Sequence, residues 1–325
     1  MRPSFSAVVF AVVALFAPAL SAATDYDPLR IDKVKPTIHD LTVSDAKRNR
    51  EVPIRVFLPA HSTAVPVVLF SHGLGGSRAG GTYLGEHWSA RGYVVVALQH
   101  PGSDESVWKN QGAGQRMNAL RQAANAQNLL LRLADVSVVL DQLEIWNRQT
   151  DHPLKGRLDL AKVGMSGHSF GAVTTQGVSG QTPAIGRAYT DPRIDAALPM
   201  SPSVPRAGDP ARAFGNVKIP WLLMTGTKDD SPIGDMDAAS RLKVFPALPA
   251  GDKYQLVLDG AEHSAFADQR EALKARANPN HHKAILATST AFWDAYLKGD
   301  EAAKAWLQGE AVRGVLEKAD VWEKK

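Results

Sequence analysis

The chain has 325 residues, 44% of them hydrophobic and 22% charged, a globular composition long enough to bury a sizeable core, which excludes disordered and fibrous classes. Its formal charge of +4 comes from basic residues scattered along the chain rather than gathered in a stripe, so no nucleic-acid partner is expected. With zero cysteines there are no disulfides, no thiol nucleophile and no thiolate metal sites.

Arg2 precedes an apolar run from Ala7 to Ala17, then Pro18 and the small residues Ala19, Ser21, Ala22 and Ala23. Residues 1–23 therefore read as a secretory signal peptide cut before Thr24. A membrane anchor needs about 20 apolar residues, more than this run has. No later stretch is apolar enough to span a bilayer, and no cysteine follows the run to carry a lipid. The expectation is an exported protein, periplasmic or secreted, with no integral membrane segment once the signal is removed. Residues 24–300 are expected to form one catalytic domain, and 301–325 a helical tail docked on it.

After a polar lead-in, residues 38–44 and 52–58 alternate as a β-hairpin whose turn is Lys47-Arg48-Asn49-Arg50. Val65 to Phe70 is a continuous apolar run, as are Tyr93 to Leu98, Ala161 to Met165, Ile194 to Leu198, Ile219 to Met224 and Tyr254 to Leu258. Such runs predict strands buried on both faces of a parallel sheet. Between them lie helical patterns, the clearest being Leu129, Leu133, Val136, Leu140 and Leu143. The fold class is thus α/β: a mostly parallel central sheet with helices on both faces and an antiparallel N-terminal hairpin. Ligands in such folds sit at the carboxyl ends of the strands. Segments 101–125 and 201–218 leave that edge and are long enough to wall a substrate site.

Gly167-His168-Ser169-Phe170-Gly171 follows a predicted strand and precedes a helix-compatible stretch, Ala172 to Val178. This is the setting of a nucleophile elbow, a turn so tight that the residues two before and two after the serine must be small. A serine hydroxyl is a poor nucleophile near neutral pH and needs a base, held in turn by an acid. The elbow predicts both downstream, acid first. Thr227-Lys228-Asp229-Asp230 turns off the strand ending at Gly226, and Gly260-Ala261-Glu262-His263-Ser264 follows the next strand. Ser169, His263 and Asp229 are the candidate catalytic residues. Asp229 is preferred as the first carboxylate off the strand, with Asp230 left as the alternative.

An oxyanion hole needs two backbone N–H groups aimed at the developing charge. Phe170, directly after the serine, supplies one; Ser71-His72-Gly73-Leu74-Gly75-Gly76 has the character to supply the other, with Leu74 as the choice. His168 and His72 read as structural neighbours of the elbow and of this loop. His100, Trp108 and Phe266 are candidate substrate-binding residues, each in or beside a loop at the active edge. His281 and His282 begin a predicted helix without matched ligands, so no metal site is expected. Trp146 and Trp293 fall on helix patterns and read as core, while Trp306, Leu307, Val312, Val315 and Leu316 suggest one or two terminal helices.

Phe70-Ser71-His72-Gly73-Leu74-Gly75 and Gly167-His168-Ser169-Phe170-Gly171 resemble the oxyanion and nucleophile motifs of the platelet-activating-factor acetylhydrolase and dienelactone-hydrolase-like branch of the α/β hydrolases. The resemblance extends from about Thr37 to about Leu297. It implies an α/β-hydrolase fold and a cofactor-free serine esterase acting on short or modified acyl esters. In the acetylhydrolases the acid follows an earlier strand, where this chain has Leu198-Pro199-Met200-Ser201-Pro202 and no carboxylate, so the acid must come from Asp229 or Asp230. Dienelactone hydrolases use a cysteine nucleophile, which this chain lacks. The expected partner is a small-molecule or polymeric ester. A lactonase or polyester hydrolase uses the same three residues, and a non-catalytic binding protein of the same fold is the reading from another class.

Overall fold

A computed structural model describes residues 26–60, 62–184, 186–205, 208–268 and 278–325. The expected signal peptide lies outside these residues. No helix among the described residues is long and apolar enough to cross a membrane.

The described strands are β1 (Thr37–Asp45), β2 (Arg50–Leu58), β3 (Val65–Ser71), β4 (Val94–Leu98), β5 (Leu158–His168), β6 (Ile194–Met200), β7 (Trp221–Lys228), β8 (Lys253–Glu262) and β9 (Val321–Lys324). They form one nine-stranded sheet in the order β1-β2-β4-β3-β5-β6-β7-β8-β9. The block from β4 to β8 is parallel, flanked by the antiparallel pair β1 and β2 at one edge and antiparallel β9 at the other. This is the α/β-hydrolase architecture.

Apolar runs without alternation become doubly buried strands. In β3, Val67 and Leu69 join one hydrophobic cluster, and Val68 and Phe70 join the cluster on the opposite face. Successive side chains point to opposite faces, so both sets must be apolar when both faces are covered.

The helices are α1 (Thr82–Ala90), α2 (Ser106–Lys109), α3 (Arg116–Ala123), α4 (Ala126–Arg148), α5 (Phe170–Val178), α6 (Pro210–Phe214), α7 (Ala238–Arg241), α8 (Val244–Ala247), α9 (Pro279–Leu297) and α10 (Glu301–Gln308). Leu133, Val136, Leu140 and Leu143 of α4 pack on one face, whereas Leu84 and Trp88 of α1 and Phe292 and Trp293 of α9 pack on the other. Asn125 starts α4 by accepting the Asn128 N–H at 2.8 Å, satisfying one of the amides that a helix start leaves unbonded.

Three sequence expectations shift. The run Ile219 to Met224 enters the sheet only at Trp221 and continues to Lys228, because Pro220 has no N–H to donate to the ladder. Segments 101–125 and 201–218 carry α2, α3 and α6 rather than being plain loops. The expected helical tail is helical over α10, makes a short 3₁₀ turn at Ala311–Val315, and then returns as β9 alongside β8.

Candidate active site

The end of β5 and the start of α5 meet at Ser169, whose backbone lies at φ 58° and ψ −117°, a region that non-glycine residues rarely occupy. Two glycines permit the turn. A Cβ on Gly171 would lie 1.9 Å from the Ser71 carbonyl oxygen, and one on Gly167 would lie 2.4 Å from the Gly171 carbonyl oxygen. The Ser169 N–H is held by the Met200 carbonyl at 3.0 Å, so neighbouring β6 fixes the apex.

His263 opens a 3₁₀ turn (His263–Phe266) after β8, and its Nε2 lies 2.9 Å from Ser169 Oγ. Its Nδ1 lies 2.6 Å from Asp229 Oδ1. With the proton on Nδ1 donated to the carboxylate, Nε2 is left bare to accept the serine hydroxyl. Asp229 is fully buried, and its Oδ2 accepts the Thr225 hydroxyl at 2.8 Å. Burial alone would raise its carboxyl, but the His263 hydrogen bond and the Arg241 charge outweigh that and hold it below the ordinary range. Asp230 is exposed and faces away, accepting the Ala238 N–H at 2.9 Å.

Arg241, which sequence reasoning missed, is buried beside this chain of groups. Its Nε donates to the Asp229 carbonyl at 2.6 Å and lies 3.1 Å from Oδ1. Its Nη1 donates to the Ser201 and Pro202 carbonyls at 2.8 and 3.1 Å, tying the end of β6 to the end of β7. Nothing in the spacing around Arg241 distinguishes it from the surface arginines.

The loop Gly73 to Gly76 borders Ser169 at the end of β3. Its Gly75 N–H is engaged by the Ser103 carbonyl at 2.9 Å and its Gly76 N–H by the Gly73 carbonyl at 3.0 Å. Leu74 and Phe170 both line a cleft of about 1540 Å³ together with Ser169, His263 and Phe266. The cleft walls come from Glu105, Ala124 and Asn125, from Ser203 to Pro205, and from Ser231 to Met236. This last wall was not singled out from the sequence, although Ser231-Pro232-Ile233-Gly234 has loop chemistry and leaves a strand's carboxyl end.

Two of the candidate substrate-binding residues lie outside the cleft lining. His100 is completely buried, with Nε2 2.9 Å from Ser71 Oγ and Nδ1 3.0 Å from Asp135 Oδ2. Polar partners on both ring nitrogens draw it under the loop instead of into the cleft. Trp108 donates its indole N–H to the Gly75 carbonyl at 2.7 Å and stands behind the glycine loop. Phe266 does line the cleft, buried and stacked near His168 at a centroid distance of 6.2 Å. His168 also lies 4.6 Å, ring to ring, from His263, and burial pushes it down to about 3, so it stays neutral. His72 accepts the His100 N–H on Nε2 at 3.1 Å, which places its own proton on Nδ1, donated to the Gly73 carbonyl.

Comparison with known proteins points to one group. The family model for platelet-activating factor acetylhydrolase, isoform II, matches residues 45–110, from the end of β1 through the glycine loop to just past α2. A platelet-activating factor acetylhydrolase of Cavia porcellus is 29% identical over 136 residues, covering 34% of this chain and 30% of the relative. The chain therefore matches less than a third of the length of that curated relative. The family match includes Leu74 but stops before Ser169, Asp229 and His263.

Proposed function

We propose that this α/β-hydrolase-fold chain, similar to the acetylhydrolases, is an exported carboxylic ester hydrolase acting through Ser169, His263 and Asp229. The observation that carries the reading is the continuous hydrogen-bonded series from Ser169 Oγ to His263 Nε2 at 2.9 Å and from His263 Nδ1 to Asp229 at 2.6 Å. Ser169 Oγ attacks the ester carbonyl while His263 Nε2 takes its proton, and Asp229 holds the imidazolium that forms. The tetrahedral oxyanion is received by the N–H groups of Leu74 and Phe170. Supporting that choice, the amides of Gly75 and Gly76 are already bonded, and Phe170 is the first residue of α5, where a helix provides no internal acceptor. The imidazolium returns its proton to the departing alcohol. Water then repeats the sequence on the acyl-enzyme, releasing the acid and restoring Ser169.

Short or modified acyl esters are the first reading of the substrate. The cleft favours a second. At about 1540 Å³ it exceeds the roughly 300–1,000 Å³ of ordinary small-molecule sites, which suits a bulky or polymeric ester. Export rests on the apolar run and small residues of 1–23.

A fluorophosphonate should label Ser169 alone, and Ser169→Ala should abolish both labelling and hydrolysis of p-nitrophenyl acetate. Labelling at another residue, or full activity in the alanine variant, overturns the assignment. Rates on p-nitrophenyl esters of increasing chain length, on lactones and on polyester films separate the substrate readings.

A further inference from the structure

Beneath the glycine loop lies a second serine–histidine–aspartate series, with the same serine–histidine distance as the first and a longer histidine–aspartate one. Ser71 Oγ is 2.9 Å from His100 Nε2, and His100 Nδ1 is 3.0 Å from Asp135 Oδ2. Asp135 is anionic, because the paired nitrogens of Arg50, at 2.8 Å each, and the bond from His100 outweigh its burial. All three members are completely buried, so Ser71 can meet no substrate. What the series can do is hold its surroundings, and Ser71 is the last residue of β3, two residues before Gly73.

Arg132 of α4 completes this frame. It is fully buried, yet among the described residues its direct partners are not carboxylates: Nη1 donates to the His72 carbonyl at 2.8 Å and lies 3.4 Å from Ser71 Oγ, Nη2 lies 3.2 Å from His72 Nδ1, and Nε donates to the Ser103 hydroxyl at 2.8 Å. Its guanidinium carbon lies 4.5 Å above the centre of the Phe170 ring. Ser103 in turn gives its carbonyl to the Gly75 N–H, and the Glu105 N–H bonds the Gly76 carbonyl at 2.7 Å. One side chain therefore touches both halves of the oxyanion site, the glycine loop through His72 and Ser103, and the helix start through Phe170.

Stability gives little reason to keep such a residue. Burying a charge is costly, and hydrophobic residues of equal volume often serve a core as well or better. Only a planar, multidentate cation reaches a carbonyl, a hydroxyl and an aromatic face at once. We propose that Arg132 is a positioning residue that fixes the Leu74 and Phe170 N–H groups relative to each other, braced by the buried Asp135–His100–Ser71 series. This rests on the acyl-transfer reading above.

The test compares wild type with Arg132→Met and Arg132→Lys. Steady-state hydrolysis of p-nitrophenyl acetate, the affinity of a trifluoromethyl ketone, which forms an oxyanion on Ser169, and the melting temperature are measured for each. Active-site titration with a fluorophosphonate corrects for any misfolded fraction. Since losing one oxyanion donor costs about a hundredfold or more in kcat, misplacing the donors in Arg132→Met should lower kcat about tenfold to a hundredfold with KM nearly unchanged. Ketone affinity should fall in parallel, and Arg132→Lys should recover part of both. A folded methionine variant with unchanged kcat, or with reduced kcat and unchanged ketone affinity, overturns the inference. If the methionine variant does not fold, the lysine variant, which keeps charge and bulk, is judged by the same two measures. Wild-type protein that neither turns over ester nor takes the label defeats the acyl-transfer reading instead.

Discussion

Gly171 is the position at which the elbow tolerates least. An added Cβ falls 1.9 Å from the Ser71 carbonyl, and that carbonyl is backbone at the end of a central strand, unable to swing aside. Gly171→Ala should therefore cost on the order of 3 kcal/mol or more, the upper range for forced overpacking, and thermal denaturation should show a correspondingly lower midpoint. Burial also makes the molecule sensitive to mild acid. His100 and His168 are pushed down to about 4 and about 3, so below an ordinary histidine value near 6.5 the unfolded chain binds protons that the folded one does not. Stability is full above that value and falls as pH drops toward 4, by about 1.4 kcal/mol per pH unit for each histidine. Urea titrations at pH 7 and pH 5 should show the loss, and His168→Asn should reduce the slope by one histidine's share. Asp135 and Asp229, held below the usual carboxylate range, add their own loss only at lower pH. Residue order alone brings Ser169 and His263 to attention, because the elbow is a local pattern with a strand before and a helix after. It does not decide which of Asp229 and Asp230 faces the histidine, since both leave the same strand and the turn, closed by the Asp229 N–H on the Gly226 carbonyl, aims each side chain. His100 reads from sequence as a pocket residue because a strand end is visible and the acid waiting beneath it, Asp135 on another element, is not.

Elements whose apolar content is continuous were the most legible. The runs at β3, β4 and β8 announce themselves because both faces are covered, and the charged turn between β1 and β2 marks the hairpin. β9 is the opposite case: Val-Trp-Glu-Lys is short, charged and mostly exposed, and only pairing with Tyr254 to Val257 makes it a strand. Trp322 is its anchor, 5.6 Å from the Tyr254 ring and bonded through Nε1 to the Leu307 carbonyl at 3.1 Å. Trp322→Ala should destabilise the protein by about 2 kcal/mol, less than a fully buried tryptophan, with a lower urea midpoint. An unchanged midpoint would mean that β9 adds nothing to the sheet edge. The wall from Ser231 to Met236 was obscure for a related reason, as loop residues gain a role only from the cavity they happen to border.

Across the whole molecule, the three proposed catalytic residues come from the ends of three parallel strands, β5, β7 and β8. The elbow marks Ser169 locally, but only the sheet brings His263 and Asp229 to it. Ser169 and His263 are 94 positions apart, and parallel neighbours can pair only after a crossover has been completed. Contacts so distant in sequence form slowly, because the entropy of closing the intervening loop is spent before any contact rewards it. Without β8 in place, Ser169 has no His263 beside it to take its proton. On the proposed mechanism, hydrolysis needs all three strand ends in place, so activity regained during refolding should not precede the assembly of β5, β7 and β8.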